Sequence, residues 1–282
     1  MRWAGRVNRS DLTEFFGISV PQASADVDEY KRVAPQNVAY DASSRAFVAT
    51  PEFVPAVASP DPLRYLNDLL AVEAGVLGEE ESFLGWRPAF ARVLQPKRQL
   101  TPSVFYVLVA AIRTRSAAQI VYQSMNRPAT LARVVSPHAL VFDGYRWHIR
   151  AYCHLHRDFR DFAIGRISAA SLDETAGESV EKDDAWNELL RLVLVPNPDL
   201  SPAQRRAIAI DYGMEGGSIT YNVRRSLLLY TLQHLGLDPG LTSPAKAKHI
   251  VLANAAELEP YLVTLARRGL SSQPTSIEGE KS

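Results

Sequence analysis

The sequence predicts an α+β, multidomain protein, because three different patterns follow one another along its 282 residues. Two capped helices and two short strands come first, five short strands lie in the middle, and strands alternate with helices near the end. The length also exceeds what one small core usually needs. The predicted divisions are a first domain over residues 1–55, a helical connector over 56–112, a β-domain over 113–178, a C-terminal domain over 179–268 and a disordered tail over 269–282.

Composition restricts the class of protein. No run of eighteen apolar residues occurs, and the N-terminus lacks the apolar stretch of a signal peptide. We therefore expect no membrane partner. Cys153 is the only cysteine, so an intrachain disulfide is impossible and a reducing, cytoplasmic setting is expected.

Two short helices near the N-terminus are marked by their start and stop signals. Asn8 can cap the first helix with Asp11 at its third position, and Gly17 is suited to end it. Ser19 is a good N-cap for the second helix, and Gln22 would complete a second capping box. Two helices joined by so short a turn form the helix-turn-helix pattern.

The second of these helices should bury one face and expose the other. Its apolar face consists of Val20, Ala23, Val27 and Tyr30. The opposite face carries small and amide side chains, which allow a close approach to base edges. A hairpin with a polar tip follows over residues 38–48 and would form a wing. This winged helix-turn-helix predicts binding to double-stranded operator DNA through Arg9, Ser19, Gln22, Ser24, Lys31 and Arg45.

The charge of this domain leaves an alternative open. Residues 1–55 contain six Lys or Arg and seven Asp or Glu. Affinity for DNA depends strongly on cations that neutralise phosphates, so this domain would need dimerisation or help from elsewhere. A helix-turn-helix used for protein contacts is the alternative.

Two apolar helices are predicted in the connector. The first opens at Asp61 or Pro62 and carries four leucines, and the second, over residues 103–112, follows Thr101.

The β-domain is strongly basic. Residues 113–167 contain nine arginines, no lysine and three aspartates, a net charge of +6 in a chain whose formal net charge is zero. Arginine without lysine favours bidentate recognition of phosphate or carboxylate, although arginines can also line an interface. Five candidate strands predict a small barrel: Gln119–Ser124, Leu131–Val135, Ala139–Phe142, Arg146–Cys153 and Phe159–Ile167.

Period-two alternation assigns a cationic and an apolar face to these strands. In the fourth strand the apolar face consists of Trp147, Ile149, Ala151 and Cys153, and the cationic face of Arg146, His148, Arg150 and Tyr152. Tyr122 and Ser124 should share a face of the first strand. In the fifth strand the shared face consists of Arg160, Phe162, Ile164 and Arg166.

The C-terminal domain should run strand, helix, strand, helix. The strands are predicted over Leu189–Val195 and Ser218–Val223, and the helices over about 202–212 and 224–235. A last helix is expected over Pro260–Arg268, with Pro260 in its first turn and Gly269 just past its end.

Several stretches of the β-domain resemble a WYL domain. They are Tyr122-Gln123-Ser124, residues 136–140, residues 144–152 and residues 157–167, and the tripeptide that names the family appears as Trp147-His148-Ile149. Residues 5–12 and 19–26 resemble the winged helix of WYL regulators that sit beside bacterial phage-defence operons of the BREX and CBASS types.

The resemblance implies a specific fold and function. It implies an SH3- or Sm-like β-barrel, a ferredoxin-like C-terminal dimerisation domain of the WCX type, and a homodimer that represses a promoter. The WYL pocket would bind a nucleotide or nucleic-acid fragment as effector. Carried over residue by residue, this pocket consists of Tyr122, Ser124, Arg133, His138, Arg150 and Arg166, with Arg146, His148 and Arg160 beside it. His148 and Ile149 depart from the family's Tyr-Leu, which would retune the ligand site.

The sequence also bears on two other function classes. The chain has no Walker-type phosphate loop, no His-Glu-x-x-His and no recognisable catalytic carboxylate pair, so we expect neither an enzyme nor a cofactor. Cys153, His154 and His156 lack a second ligand pair at suitable spacing, so no metal is expected. An RNA or single-stranded nucleic-acid binding protein that uses the Sm-like barrel is the remaining alternative, against which the winged helix argues.

Overall fold

A computed structural model describes residues 3–57, 61–78, 81–82, 84, 87–96, 98–125, 129–237 and 248–270. The chain divides into one unit over residues 1–94 and another over residues 95–282. The first unit contains β1 (Arg6–Val7), α1 (Arg9–Phe16), α2 (Val20–Val33), β2 (Val38–Asp41), β3 (Ala46–Ala49) and α3 (Pro62–Glu73).

Local signals determine the ends of α1 and α2, mostly as predicted. The side chain of Asn8 accepts a hydrogen bond from the backbone of Asp11, whose carboxylate accepts one from the backbone of Asn8, so the first capping box is confirmed. Ser19 caps α2 by accepting from the backbone of Gln22. The second capping box is wrong, because the Gln22 amide donates to Asp26 at 2.7 Å instead of reaching back to the cap.

The helix pair is followed by a small antiparallel sheet in the order β1-β3-β2. Ala23 and Val27 of α2 are buried, as are Ala46 and Phe47 of β3. Val20 is 59% exposed, contrary to the predicted face, because the buried face of α2 begins one turn later, at Ala23. The hairpin of β2 and β3 is confirmed, whereas β1 was not predicted because two residues carry no detectable period.

The second unit begins with α4 and contains eight described strands, which form two sheets, together with further helices. Its elements are α4 (Pro102–Thr114), β4 (Ser116–Tyr122), β5 (Leu131–Phe142), β6 (Trp147–Cys153), β7 (Asp158–Ala163), β8 (Ile167–Ala176), α5 (Asp184–Asn187), β9 (Leu189–Pro196), α6 (Pro202–Asp211), β10 (Ile219–Arg224), α7 (Leu228–His234), β11 (Ile250–Leu252) and α8 (Ala255–Leu270).

The first sheet of the second unit is antiparallel, in the order β7-β6-β5-β4-β8. Two predicted strands, over 131–135 and 139–142, are one strand, because a bulge between Pro137 and Ala139 lets the ladder continue past the proline. The predicted strand Phe159–Ile167 is instead divided by a 3-10 turn at Ile164–Arg166, after which β8 begins. Among the described strands β7 and β8 are not paired, so this sheet is open and the predicted barrel is not closed.

The core of this sheet includes α4. Val104 and Leu108 of α4 are buried in one cluster with Ile120, Ile149 and Ala151 of the strands. Residues 56–112 therefore do not form one connector, because α3 belongs to the first unit and α4 covers the sheet of the second.

The predicted apolar face of β6 is confirmed for Ile149, Ala151 and Cys153, which are fully buried in this cluster. Trp147 departs from it and is 47% exposed, because it begins the strand at the hairpin end and packs against Phe142 with ring centroids 5.0 Å apart.

The second sheet has the order β10-β9-β11, and both pairings are antiparallel. The predicted order of strands and helices is confirmed, but the described strands contain no parallel βαβ crossover. The helix predicted over Pro260–Arg268 begins earlier, at Ala255, so Pro260 lies inside α8 and Gly269 does not follow its end. The predicted tail falls outside the described residues from Ser271 onward. None of the described helices is long and apolar enough to cross a membrane.

Candidate DNA-binding and effector sites

The predicted DNA-binding residues lie on α1, on α2 and at the tip of the wing. Gln22 is exposed near the start of α2, whereas the Ser24 hydroxyl donates to the carbonyl of Val20 at 3.0 Å and is engaged by its own helix. The side chain of Ser19 serves as the cap of α2. The Nε2 of Gln22 donates to Asp26, but its amide oxygen remains available for a base edge.

The two cations predicted on the helices both lie over one ring of the wing. The Arg9 guanidinium carbon is 5.4 Å and the Lys31 ammonium 4.5 Å from the centroid of Phe47. Lys31 is also 3.7 Å from Asp28. These cation–π contacts hold both helices against β3.

The wing tip is ordered by a carboxylate that the sequence analysis did not single out. Asp41 accepts hydrogen bonds from the backbone and hydroxyl of Ser43 and from the hydroxyl of Ser44, at 2.6 to 2.9 Å. The hydroxyl of Ser44 contributes most to lowering the pKa of Asp41, which falls to about 2. Arg45 follows in the left-handed region with φ 50°, exposed at the tip.

The predicted cationic face of β6 is neutralised by carboxylates. Arg150 donates through Nε and Nη2 to both oxygens of Asp183, at 2.7 and 2.9 Å, and through Nη1 to Asp161 at 3.3 Å. The three side chains are each at most 10% exposed. This bidentate fork is the geometry in which arginine also binds phosphate, but here the fork is already filled.

Further side chains extend this network on both sides. His138 Nε2 lies 3.0 Å from Asp183, and the Tyr230 hydroxyl donates to Asp161 at 3.2 Å. Burial would raise the pKa of Asp183, but the hydrogen bonds from His138 and Arg150 outweigh it and hold that pKa well below its usual value. For Asp161 burial dominates and raises the pKa, with Arg150 opposing. The network joins the first sheet to α5 and α7.

A second network lies at the β5–β6 turn. Asp143 accepts from Arg146 at 3.0 Å and lies 2.8 Å from His148 Nε2. Burial would raise the pKa of Asp143, yet the bond to His148 and two backbone N–H donors hold it well below its usual value. Arg146 and His148 therefore already have a counter-charge.

Arg133 has a different environment from the other predicted arginines. It is 8% exposed and lies over the rings of Tyr122 and Phe162, 5.4 and 5.8 Å from their centroids. Its Nε is buried without a hydrogen-bond partner among the described residues. Tyr122 and Phe162 belong to the apolar cluster, so Arg133, which lies over their rings, is on the core face of the sheet. Arg150 alternates with the core residues of β6 and is therefore on the opposite face.

The structure therefore does not bring the nine predicted pocket residues into one site. Ser124 lies beyond the end of β4, so it does not share a strand face with Tyr122. Arg166 lies beside that end, where its carbonyl accepts from the backbone of Gln123 at 3.1 Å. The predicted shared face of Arg160 and Arg166 is wrong, because β7 ends at Ala163 and the following turn reorients the chain.

A cavity of about 780 Å³ opens on the Arg150 side of the sheet. It is bounded by β6, β7, the segment around α5, and α7, and Arg150, Arg160, Asp161 and Asp183 line it together with Tyr230. Asp183 and Tyr230 were missed from the sequence because they lie 33 and 80 residues after Arg150, in segments that carry no pattern for this face. The N-cap position of Asp183 was the one local signal available.

Family models match three parts of the chain. Residues 1–71 match the BrxR transcriptional regulator winged helix-turn-helix domain, residues 103–172 the WYL domain, and residues 189–258 the BrxR transcriptional regulator C-terminal dimerization domain. A protein of Stenotrophomonas maltophilia named DNA-binding transcriptional repressor CapW is 42% identical over 93% of this chain and 88% of that protein. The chain belongs to the CapW family. The resemblance inferred from the motifs is confirmed.

Two further CapW repressors are similar to this chain over most of its length. The repressor CapW of Pseudomonas aeruginosa is 44% identical over 84% of this chain and 80% of its own length, and that of Escherichia coli (strain KTE188) is 42% identical over 93% and 88%. A solved structure of proteasome accessory factor B/C (PafBC) of Arthrobacter aurescens aligns over 96% of this chain and 44% of its own, at 17% identity and a TM-score of 0.30.

Proposed function

We propose that the chain is a homodimeric transcriptional repressor that binds operator DNA beside a phage-defence operon. The observation that carries the proposal is the exposed start of α2 next to an ordered wing, in a chain of the CapW family. A two-fold dimer would place two such helices about one DNA turn apart on a palindromic site. The match to a C-terminal dimerization domain supports that arrangement.

The test is fluorescence anisotropy of the full chain on the duplex upstream of its own coding region. A scrambled duplex is the control, and the salt concentration is varied. Specific repressors bind their sites about a thousandfold or more tightly than other DNA, so that ratio is expected here. Equal affinity for both duplexes would contradict sequence-specific binding.

The Gln22→Ala variant tests which side chain reads the operator. Because the carbonyl oxygen of Gln22 remains available for a base edge, we expect its loss to weaken operator binding by about 1–2 kcal/mol, roughly ten- to thirtyfold, in the same anisotropy assay. Ser24→Ala is the matched control, since the Ser24 hydroxyl is already bonded within α2. An equal loss on operator and scrambled duplex would show that Gln22 does not read sequence.

We further propose that a phosphate-bearing effector, a nucleotide or nucleic-acid fragment, binds at the Arg133 site with Tyr122, Ser124 and Arg166. The support is the buried side chain of Arg133, whose Nε has no hydrogen-bond partner among the described residues. A buried charge without a partner is costly, so a bound anion would supply the missing counter-charge.

The Arg133→Gln variant tests the effector site with pyrophosphate as the probe. We expect isothermal titration calorimetry to show at least a tenfold loss of affinity, about 1.4 kcal/mol, with unchanged or higher thermal stability because an uncompensated charge is removed. Arg146→Gln is the control, since Arg146 is already paired with Asp143. Equal losses in the two variants would contradict a site at Arg133.

We also retain the finer fold assignments as proposals. An SH3- or Sm-like relationship is supported by the way β8 returns to pair with β4, the first strand of the same sheet. The alternation of β9, α6, β10, α7, β11 and α8 supports a ferredoxin-like relationship for the C-terminal domain. We also propose domain divisions near residues 55 and 178, which follow β3 and β8 respectively.

Single-strand binding is kept as a second candidate because of one exposed cluster. Phe142, Tyr145 and Trp147 project at the β5–β6 hairpin, each about half exposed or more, and aromatic side chains of this kind can stack on unpaired bases. Competition between duplex and single strands in the anisotropy assay distinguishes the candidates.

A further inference from the structure

We propose that Asp26 is a positioning residue for operator recognition, which turns the side-chain amide of Gln22 so that its oxygen accepts a hydrogen bond from an amino group of a base. This inference rests on the proposed function and names the base chemistry that α2 would read. Nε2 of Gln22 donates to Oδ1 of Asp26 at 2.7 Å. The two residues are four positions apart, so they are neighbours on the same side of α2, and both are exposed.

This hydrogen bond matters because a free glutamine amide has no fixed orientation. Rotation about the last side-chain bond exchanges the oxygen, which accepts, with the nitrogen, which donates, and that torsion has only broad preferences. An ionised carboxylate can only accept, so the nitrogen of Gln22 has to face Asp26 and the oxygen has to face away from it. Gln22 would therefore meet the DNA as an acceptor.

The major groove offers donors to such an acceptor on two bases. Adenine presents an amino group beside the ring nitrogen N7, which is an acceptor, and cytosine presents an amino group alone. A glutamine that rotates freely binds adenine through both amide atoms, with its nitrogen donating to N7. Because Asp26 holds the nitrogen of Gln22 towards itself, Gln22 would read the amino group and would gain nothing from N7.

The other two carboxylates of α2 have different partners. Asp28 lies 3.7 Å from the ammonium of Lys31, and Glu29 accepts from Nε of Arg32 at 2.9 Å. Both therefore face a cation of their own helix, whereas Asp26 accepts from a neutral amide. This difference assigns the positioning role to Asp26 and makes Asp28 a matched control.

Base analogues in the operator test which atom of the Gln22 amide reads the base. Each base pair of a half-site is replaced in turn by a pair that lacks either the major-groove amino group or the purine N7. The pair read by Gln22 is the one whose analogues affect the unmodified chain but not Gln22→Ala. There we expect loss of the amino group to weaken binding about tenfold and loss of N7 to change nothing.

The outcomes separate this inference from the proposed function. Equal affinity of the unmodified chain for operator and scrambled duplex would overturn the repressor function and this inference with it. Specific binding in which Gln22 depends on N7, or in which no pair distinguishes Gln22→Ala from the unmodified chain, would overturn the inference alone.

The Asp26→Asn variant tests whether the carboxylate sets this preference. An asparagine amide can donate as well as accept, so Gln22 regains both orientations. We expect D26N to reduce the cost of losing the amino group to about threefold and to make binding sensitive to N7. Asp28→Asn removes the same charge from the same helix, so any general gain of affinity for DNA should be shared by both variants. An unchanged analogue profile in D26N, or the same change in D28N, would overturn the proposal.

A measurement without DNA tests the hydrogen bond itself. In NMR spectra of the full chain carrying isotopically labelled glutamine, the signals of the Gln22 side-chain amide are identified by their loss in Gln22→Ala. We expect its two amide protons to differ more in chemical shift in the unmodified chain and in D28N than in D26N, because one of them is bonded to the carboxylate. Identical Gln22 signals in the unmodified chain and in D26N would mean that Asp26 does not hold the amide and would overturn its positioning role.

Discussion

Replacement of Arg150 by alanine is expected to destabilise the second unit severely, rather than to give a folded repressor that ignores its effector. The substitution leaves the side chains of Asp183 and Asp161, 1% and 10% exposed, without their cation. Breaking a buried pair from one side typically costs about 3–5 kcal/mol, because the remaining charge is neither solvated nor neutralised. That loss is a large part of the stability of an ordinary domain.

The measurement is urea denaturation of the full chain followed by circular dichroism, with Arg160→Ala as the matched control. Arg160 lies on the adjoining strand, is 47% exposed and reaches Asp158 only at 3.8 Å, so its loss should change stability by less than about 1 kcal/mol. Adding Asp183→Asn to R150A should restore part of the stability, because it removes one stranded carboxylate. Equal midpoints for R150A and R160A would contradict a structural role for the Arg150 network.

The same network shows what the sequence could and could not predict about the site. Alternation along β6 correctly placed Arg150 opposite Ile149 and Ala151, because a strand enforces a period of two. It could not show that a carboxylate 33 residues further on would fill the fork, since no local rule links Asp183 to that face. The excess of arginine over aspartate in residues 113–167 therefore overstated the free positive charge.

Prediction of the fold from the sequence has a similar limit. The N-terminal helices were predicted well because their ends depend on single residues such as Asn8 and Gly17, whose effects act within one turn. The first sheet was predicted less well. A bulge kept Pro137 inside β5, and β8 pairs with β4 some fifty residues away, so neither feature leaves a short-range pattern.

The Leu108→Ala variant is expected to show that α4 is part of the sheet domain and not of a connector. Leu108 is fully buried in one cluster with Ile120 and Ile149, so its truncation leaves a cavity in the core of the first sheet. Changes of this kind cost about 2–5 kcal/mol. Urea denaturation should show that loss, with hydrogen exchange of the β4 and β6 amides accelerated together.

The neighbouring residue provides the control for this last variant. Val109 is turned about 100° away from Leu108 around α4. It is 39% exposed, so Val109→Ala should lower stability by less than about 1 kcal/mol. If L108A lowered stability as little as V109A, and the amides of β4 and β6 exchanged hydrogen at their original rates, α4 would be a separate connector. A large loss confined to L108A would instead mean that α4 and the sheet fold as one unit, because the side chain of Leu108 completes the core that both elements share.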